Sequence, residues 1–295
     1  MAGLEFNLFL PQMRLSMPDL VHRAQVAESS GFTGISLMDH LCPPLAAGHP
    51  MFEAMTTAAW LAANTETLSV GHLVLCDAFR EPTVLASQAV TIDHASGGRF
   101  ELGIGWGSVP EELEQFGVSD ATARERVARL DESLDVIKAL WSGERADFTG
   151  EHHHLDGAQQ LPTPTRPIPI VVGGAGPRTL EVIARHADWW NCPIYALDRF
   201  DDLREHVGTA RPSVQQMMAF VPDESRRAEV TDLAARRFGG MGSGLVVGDA
   251  AELIDHFSGL ADRGVERIYA WMADFGDPQN LVAFGEQVIG PMGER

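Results

Sequence analysis

The chain has 295 residues, 45% of them hydrophobic, with a formal net charge of −19. That is apolar material enough for a large core, and a single domain over 1–295 accounts for it. The charge has the wrong sign for a nucleic-acid partner, and no run of about 18 apolar residues is present to cross a membrane.

Cys42, Cys76 and Cys192 lie far apart and form neither a metal-ligand spacing nor an even disulfide set. Met1-Ala2-Gly3-Leu4-Glu5 has no basic or long apolar leader, so a reducing cytoplasm is the expected location. Lys138 is the sole lysine, and the arginine-dominated basic charge points to a GC-rich bacterial genome.

Apolar strand-like runs alternate with helix-period segments along the whole chain. Strands are predicted near 5–10, 33–38, 68–75, 100–104, 168–172, 188–192, 214–221 and 266–272. Helices are predicted near 18–30, 51–64, 83–95, 122–142, 177–186, 198–207, 223–238, 249–263 and 278–289. Pro18-Asp19 opens the first of these, and Asp249 is placed to cap the helix from Ala250. This alternation predicts an α/β fold, a (β/α)8 TIM barrel, with an insertion between strands 4 and 5. The insertion, 105–167, holds a long helix and a hairpin near Phe148–Leu155. Insertions there commonly shape a substrate pocket.

In such a barrel, ligands bind where the strands end. Asp39-His40 closes the run Thr33–Met38, which makes His40 the candidate acid, base or hydrogen-bond donor, with Asp39 contacting a cofactor or orienting neighbours. Gly103-x-Gly105-x-Gly107 lacks the spacing of a dinucleotide fingerprint. Its glycines instead permit close approach of a flat ligand, with Trp106 as a wall; a tight turn explains them equally well.

Gly173-Gly174-Ala175-Gly176-Pro177-Arg178 runs straight from a strand into a helix, with Pro177 at a first-turn position. Free amides, the helix dipole and the Arg178 charge make it a candidate phosphate site. His152-His153-His154 is not read as a metal tract, because adjacent residues on a strand point to opposite faces.

These segments together resemble the luciferase-like monooxygenase superfamily, and more narrowly its branch dependent on the deazaflavin coenzyme F420. The resemblance is carried by Leu37-Met38-Asp39-His40-Leu41, Ala78-Phe79-Arg80-Glu81-Pro82, Asp93–Gly105, and Pro169–Gly176. It implies a flat cofactor at the carboxyl ends of the strands, its phosphate at the glycine loop, and a non-proline cis peptide near Leu73-Val74. By the same resemblance the partners are a small-molecule substrate and a second copy in a homodimer, and no resident metal is implied.

The chain departs from the branch's sugar-phosphate dehydrogenases at Ser108, where they carry glutamate, and in having Lys138 on a mid-chain helix. Hydride transfer between F420 and a different alcohol, carbonyl or activated alkene is therefore the expected activity. An FMN-dependent monooxygenase on the same barrel, or a non-catalytic flavin-binding protein, is the alternative.

Overall fold

The protein is described by a computed structural model covering residues 3–44, 46 and 48–293; Met1-Ala2, part of the chain start read for a leader, lies outside them. In chain order the elements begin β1 (Glu5–Phe9), α1 (Met17–Ser29), β2 (Gly34–Leu37), α2 (Ala54–Ala63), β3 (Ser69–His72), β4 (Leu75–Cys76) and α3 (Pro82–Ser96). There follow β5 (Leu102–Gly105), α4 (Pro110–Gln115), α5 (Ala123–Trp141), the hairpin β6 (Ala146–Thr149) and β7 (His154–Ala158), then β8 (Ile170–Gly173). The remainder is α6 (Pro177–His186), β9 (Trp189–Cys192), α7 (Phe200–Arg204), β10 (Arg211–Phe220), α8 (Arg227–Phe238), β11 (Val246–Gly248), α9 (Ala250–Asp262), β12 (Arg267–Met272) and α10 (Pro278–Phe284).

The main sheet runs in the order β3-β2-β1-β12-β10-β9-β8-β5-β4, and its pairs are parallel. A parallel bridge between Val70 and Phe100 joins β3 to the chain entering β5 and closes the ring. β3 and β4 are two halves of the third barrel strand, separated by the cis Leu73–Val74 peptide at the expected place. The fold is thus the predicted barrel, with β11 as an extra short strand beside β10. The hairpin and α5 occupy the insertion as anticipated.

Helix starts follow local chemistry. Ser16 and Asp19 form a reciprocal capping box on α1, Thr122 and Glu125 on α5, and Asp249 and Glu252 on α9. The segment predicted as helical from 51 instead starts its helix at Ala54, because Met51 bridges to Met13 and Glu53 caps α2 from outside.

Strand alternation sorts side chains between two cores. Phe6, Leu8, Ile35, Leu102, Ile104 and Trp190 join the shell between strands and helices, where Phe6 meets Phe257 and Phe284 edge-on. The other face fills the barrel. At its floor Arg267 bonds Glu101 at 2.8 and 3.1 Å, Glu5 at 2.8 Å and the Tyr269 hydroxyl at 3.2 Å. Its guanidinium also lies 3.8 Å from the Trp189 ring centroid. Burial alone would disfavour that charge, but Glu101, Tyr269 and Glu5 outweigh it and hold the guanidinium protonated. Burial pushes the Tyr269 phenol up to about 12, so it remains a neutral donor or acceptor.

On the opposite wall, space is scarcer. A Cβ added at Gly103 would stand 1.7 Å from the His72 carbonyl oxygen, so the side chain is excluded by the backbone of the third strand. Gly103 therefore serves strand packing before any ligand.

His72 is 1% exposed, edge-on to Phe100 at 5.9 Å, in the layer behind the third strand. Burial lowers its pKa from 6.5 to about 4, with the Asp39 charge opposing that shift and Arg80 adding to it. The folded-state value is depressed for a base, so the unfolded chain takes up the proton first as pH falls. Stability from this residue is complete above about pH 6.5 and declines towards pH 4, by roughly 3–4 kcal/mol in all. Urea unfolding at pH 7 and pH 5 should show a smaller acid loss for His72→Gln than for the parent protein. Equal losses would show that His72 does not titrate on unfolding.

Candidate active site

Three loops converge at the carboxyl ends of the strands. The first follows β2. Gln12, fully buried, donates through its amide nitrogen to the Met38 carbonyl at 2.5 Å and accepts from the Met38 N–H at 3.2 Å. This two-way clamp fixes the direction in which Asp39 and His40 leave the strand. Asp39 accepts from the Cys76 N–H at 2.7 Å and takes both terminal nitrogens of Arg80, which also donates to Glu53 at 2.9 Å. The Asp39 carboxylate lines the cavity, but its hydrogen bonds go to the start of the next loop.

The second loop runs from β5 through Gly105-Trp106-Gly107-Ser108 into α4. Pro110 opens that helix, and its first turn buries Glu112 to 6% exposure. One Glu112 oxygen lies 2.8 Å from His40 Nδ1. The other accepts from the Leu41 and Cys42 N–H groups at 2.7 and 3.2 Å. Trp106 is half-buried, with the Arg126 guanidinium 5.3 Å from its ring centroid.

The third loop joins β8 to α6. The Gly174 carbonyl accepts from the Trp190 indole at 2.9 Å, and the Gly174 N–H donates to Asn191. Gly174 has φ +150°, and a Cβ there would meet Thr179 Cγ2 at 2.6 Å. Gly176 is the cap residue of α6, Pro177 takes a first-turn position, and no side chain caps the helix. The first-turn amides are thus open to an anion.

A cavity of about 300 Å³ lies among these loops. Phe9, Met38, Leu73, Val74, Leu113 and Trp271 give it apolar walls; His40, Cys76, Ser108, Glu112 and Gln215 supply the polar groups. Among the described lining residues there is no lysine or arginine. Burial, with the Asp39 charge adding to it, pushes the Cys76 thiol up to about 12, so the thiol stays protonated and offers no thiolate nucleophile.

The structure therefore brings Asp39, His40, Leu73, Val74, Gly105, Trp106, Gly107 and Gly173 to one cavity. Gly174, Ala175, Gly176 and Pro177 carry the chain from that cavity into α6. Arg178 is placed differently from the expected phosphate ligand. Its side chain lines a separate recess with Asp131, Glu181 and Arg185, because the first turn of α6 faces it towards α5. Sequence reasoning missed Glu112, Gln215 and Trp271. Glu112 left a partial signal, a proline-initiated acidic turn next to apolar Leu113, but nothing that separated it from exposed Glu111.

Comparison with known proteins agrees with this geometry. A family model described as luciferase-like monooxygenase matches residues 6–215. An F420-dependent hydroxymycolic acid dehydrogenase from Mycobacterium tuberculosis is 35% identical over 175 residues, covering 58% of this chain and 48% of that protein. An F420-dependent glucose-6-phosphate dehydrogenase from Kineococcus radiotolerans is 35% identical over 167 residues, covering 56% and 49%. The matches span about half the length of these relatives. The fold is shared with an F420-dependent secondary alcohol dehydrogenase in complex with an F420–acetone adduct, at TM-score 0.83, 17% identity and 99% coverage of both chains. It is shared equally with a riboflavin lyase holding modified FMN, at TM-score 0.85, 16% identity and coverage of 99% and 92%. With a family model spanning more than half of its length, the chain belongs to the luciferase-like monooxygenase family.

Proposed function

We propose that this protein is an oxidoreductase that transfers a hydride between coenzyme F420 and a small, uncharged alcohol or carbonyl compound. The observation that carries the reading is the cavity itself: apolar walls, no lysine or arginine among the described lining residues, and one imidazole braced by a buried carboxylate. A phosphorylated sugar would meet Glu112 and no cation in that space. The named activities of the F420-dependent relatives support the choice of deazaflavin.

The residues present suit such a cofactor. Gly105, Gly107 and Gly173 leave one side of the cavity without side-chain bulk, and the uncapped start of α6 suits a phosphate. When bound, F420 supplies the hydride acceptor or donor. The chain's own residues do the rest. Leu73 and Val74 would hold a bound ring against the third strand, and Trp106 and Trp271 would keep water from it. Asp39 holds Arg80 and the Cys76 backbone in place, and His40 exchanges a proton with the substrate oxygen. An FMN-dependent reaction remains the second reading, favoured by the fold it shares with the riboflavin lyase.

Titration with F420 and with FMN tests the cofactor assignment, with F420 expected to bind more tightly. Gly174→Val should weaken F420 binding at least tenfold, since the side chain collides with Thr179 and displaces the loop. Tight stoichiometric FMN with oxygen-dependent turnover would reverse the assignment, and binding without turnover on a broad alcohol and carbonyl panel would indicate a binding protein.

His40→Ala should reduce turnover per folded molecule about 10²–10⁴-fold with F420 affinity nearly unchanged, a melting curve accounting for any folding loss from the unpaired Glu112 oxygen. Unchanged turnover in the folded variant would remove His40 from the chemistry.

The protein is further proposed to work as a homodimer. Leu41, Phe52 and Val84 are exposed around one recess, and Trp60 is 51% exposed on α2. Sedimentation should give twice the 32.1 kDa chain mass, and Trp60→Glu should yield monomers. A monomeric parent protein at micromolar concentration would exclude this arrangement.

A further inference from the structure

The His40–Glu112 contact does more than close a loop. A carboxylate has only acceptor positions, whereas neutral imidazole carries its proton on one ring nitrogen or the other. Glu112 presents Oε2 to His40 Nδ1 at 2.8 Å. Its Oε1 is held by two backbone donors, the N–H groups of Leu41 and Cys42. Those donors belong to the residues directly after His40, so one side chain fixes both the imidazole and the backbone that carries it. At 6% exposure, the carboxylate has little water to substitute for these partners.

We infer that Glu112 is a positioning residue that fixes the neutral His40 tautomer with the proton on Nδ1, leaving the Nε2 lone pair for the substrate. The inference rests on the proposed role of His40 and deepens it. In the oxidative direction, the substrate's C–H bond gives its electron pair and hydrogen to F420 as hydride. The O–H proton passes to Nε2 and the carbon–oxygen double bond forms, which leaves His40 as imidazolium. Glu112 then faces a positive ring, so the same contact strengthens as the proton arrives. In the reductive direction the imidazolium returns that proton to the nascent alkoxide. The opposite tautomer would point a hydrogen, not a lone pair, at an incoming alcohol.

Glu112→Gln tests this with little change in shape. The amide oxygen still accepts from Leu41 and Cys42, but the amide nitrogen now donates to Nδ1 and drives the proton to Nε2. The readout is the long-range proton–nitrogen correlation pattern of ¹⁵N-histidine-labelled protein without cofactor, with His40 assigned from the signal lost in His40→Asn. The parent protein should show an Nδ1-protonated His40 at neutral ring charge, and the variant an Nε2-protonated one. Oxidation of the alcohol identified by the substrate panel should fall at least 100-fold in kcat, with F420 affinity unchanged.

An Nε2-protonated His40 in the parent protein overturns the inference without any variant. So does a variant that folds and keeps the parent pattern. A reversed pattern with undiminished turnover would confirm Glu112 as the tautomer-fixing group and refute the proton-transfer role of His40.

Discussion

Arg267 brings a full positive charge into the floor of the barrel, and the surrounding strands close on it. Glu5 reaches it from β1, Glu101 from the chain entering β5, and Trp189 from β9, so one guanidinium ties together strands from across the ring. An unpaired ion in that position would carry a desolvation penalty of several kcal/mol, so the cluster persists only with its partners complete. The arrangement keeps polar chemistry at the floor self-contained. The cavity among the loops lies at the other end of the strands.

Above the floor the interior is filled from one side. Trp271 from β12 and Phe9 from β1 project bulk into the cavity, whereas Gly105 and Gly173 line it from β5 and β8. A slot with one bulky wall and one flat wall accepts a planar molecule better than a rounded one. The loops then supply the polarity. Asp39 with Arg80 ties the end of the second barrel strand to the loop ahead of α3, and Asp77 with Arg129 ties the end of the third to α5. Glu112 binds the long insertion to the end of β2. The cavity is thus assembled from segments far apart in sequence, with buried carboxylates holding the loops after β2 and β5 and the Trp190 indole holding the glycine loop.

Short continuous apolar runs made the barrel strands legible, because each is buried on both faces and bounded by turn residues. The third strand read as one run over 68–75, and its division into β3 and β4 left no mark in hydrophobicity, since Leu73 and Val74 are as apolar as their neighbours. The helix start at Pro18-Asp19 and the cap at Asp249 were readable because helix initiation is a local interaction. The segment predicted as a helix over 278–289 proved to be α10 followed by a π-turn from Gly285, a change of hydrogen-bond register with no signature in side-chain periodicity. Strand-end residues such as His40 and Gly173 could be found because topology delivers them to one edge. Glu112 and Gln215 could not, because their approach to the cavity depends on tertiary packing, and the direction of Arg178 depended on the phase of α6.

The close approach of Gly103 to the His72 carbonyl bears on how such sequences should be interpreted. The absence of a side chain at that position is demanded by a neighbouring strand, not by anything bound in the cavity. A glycine at this point of the fourth barrel strand is accordingly a signature of architecture, and it says nothing of which flat molecule the cavity beyond it receives.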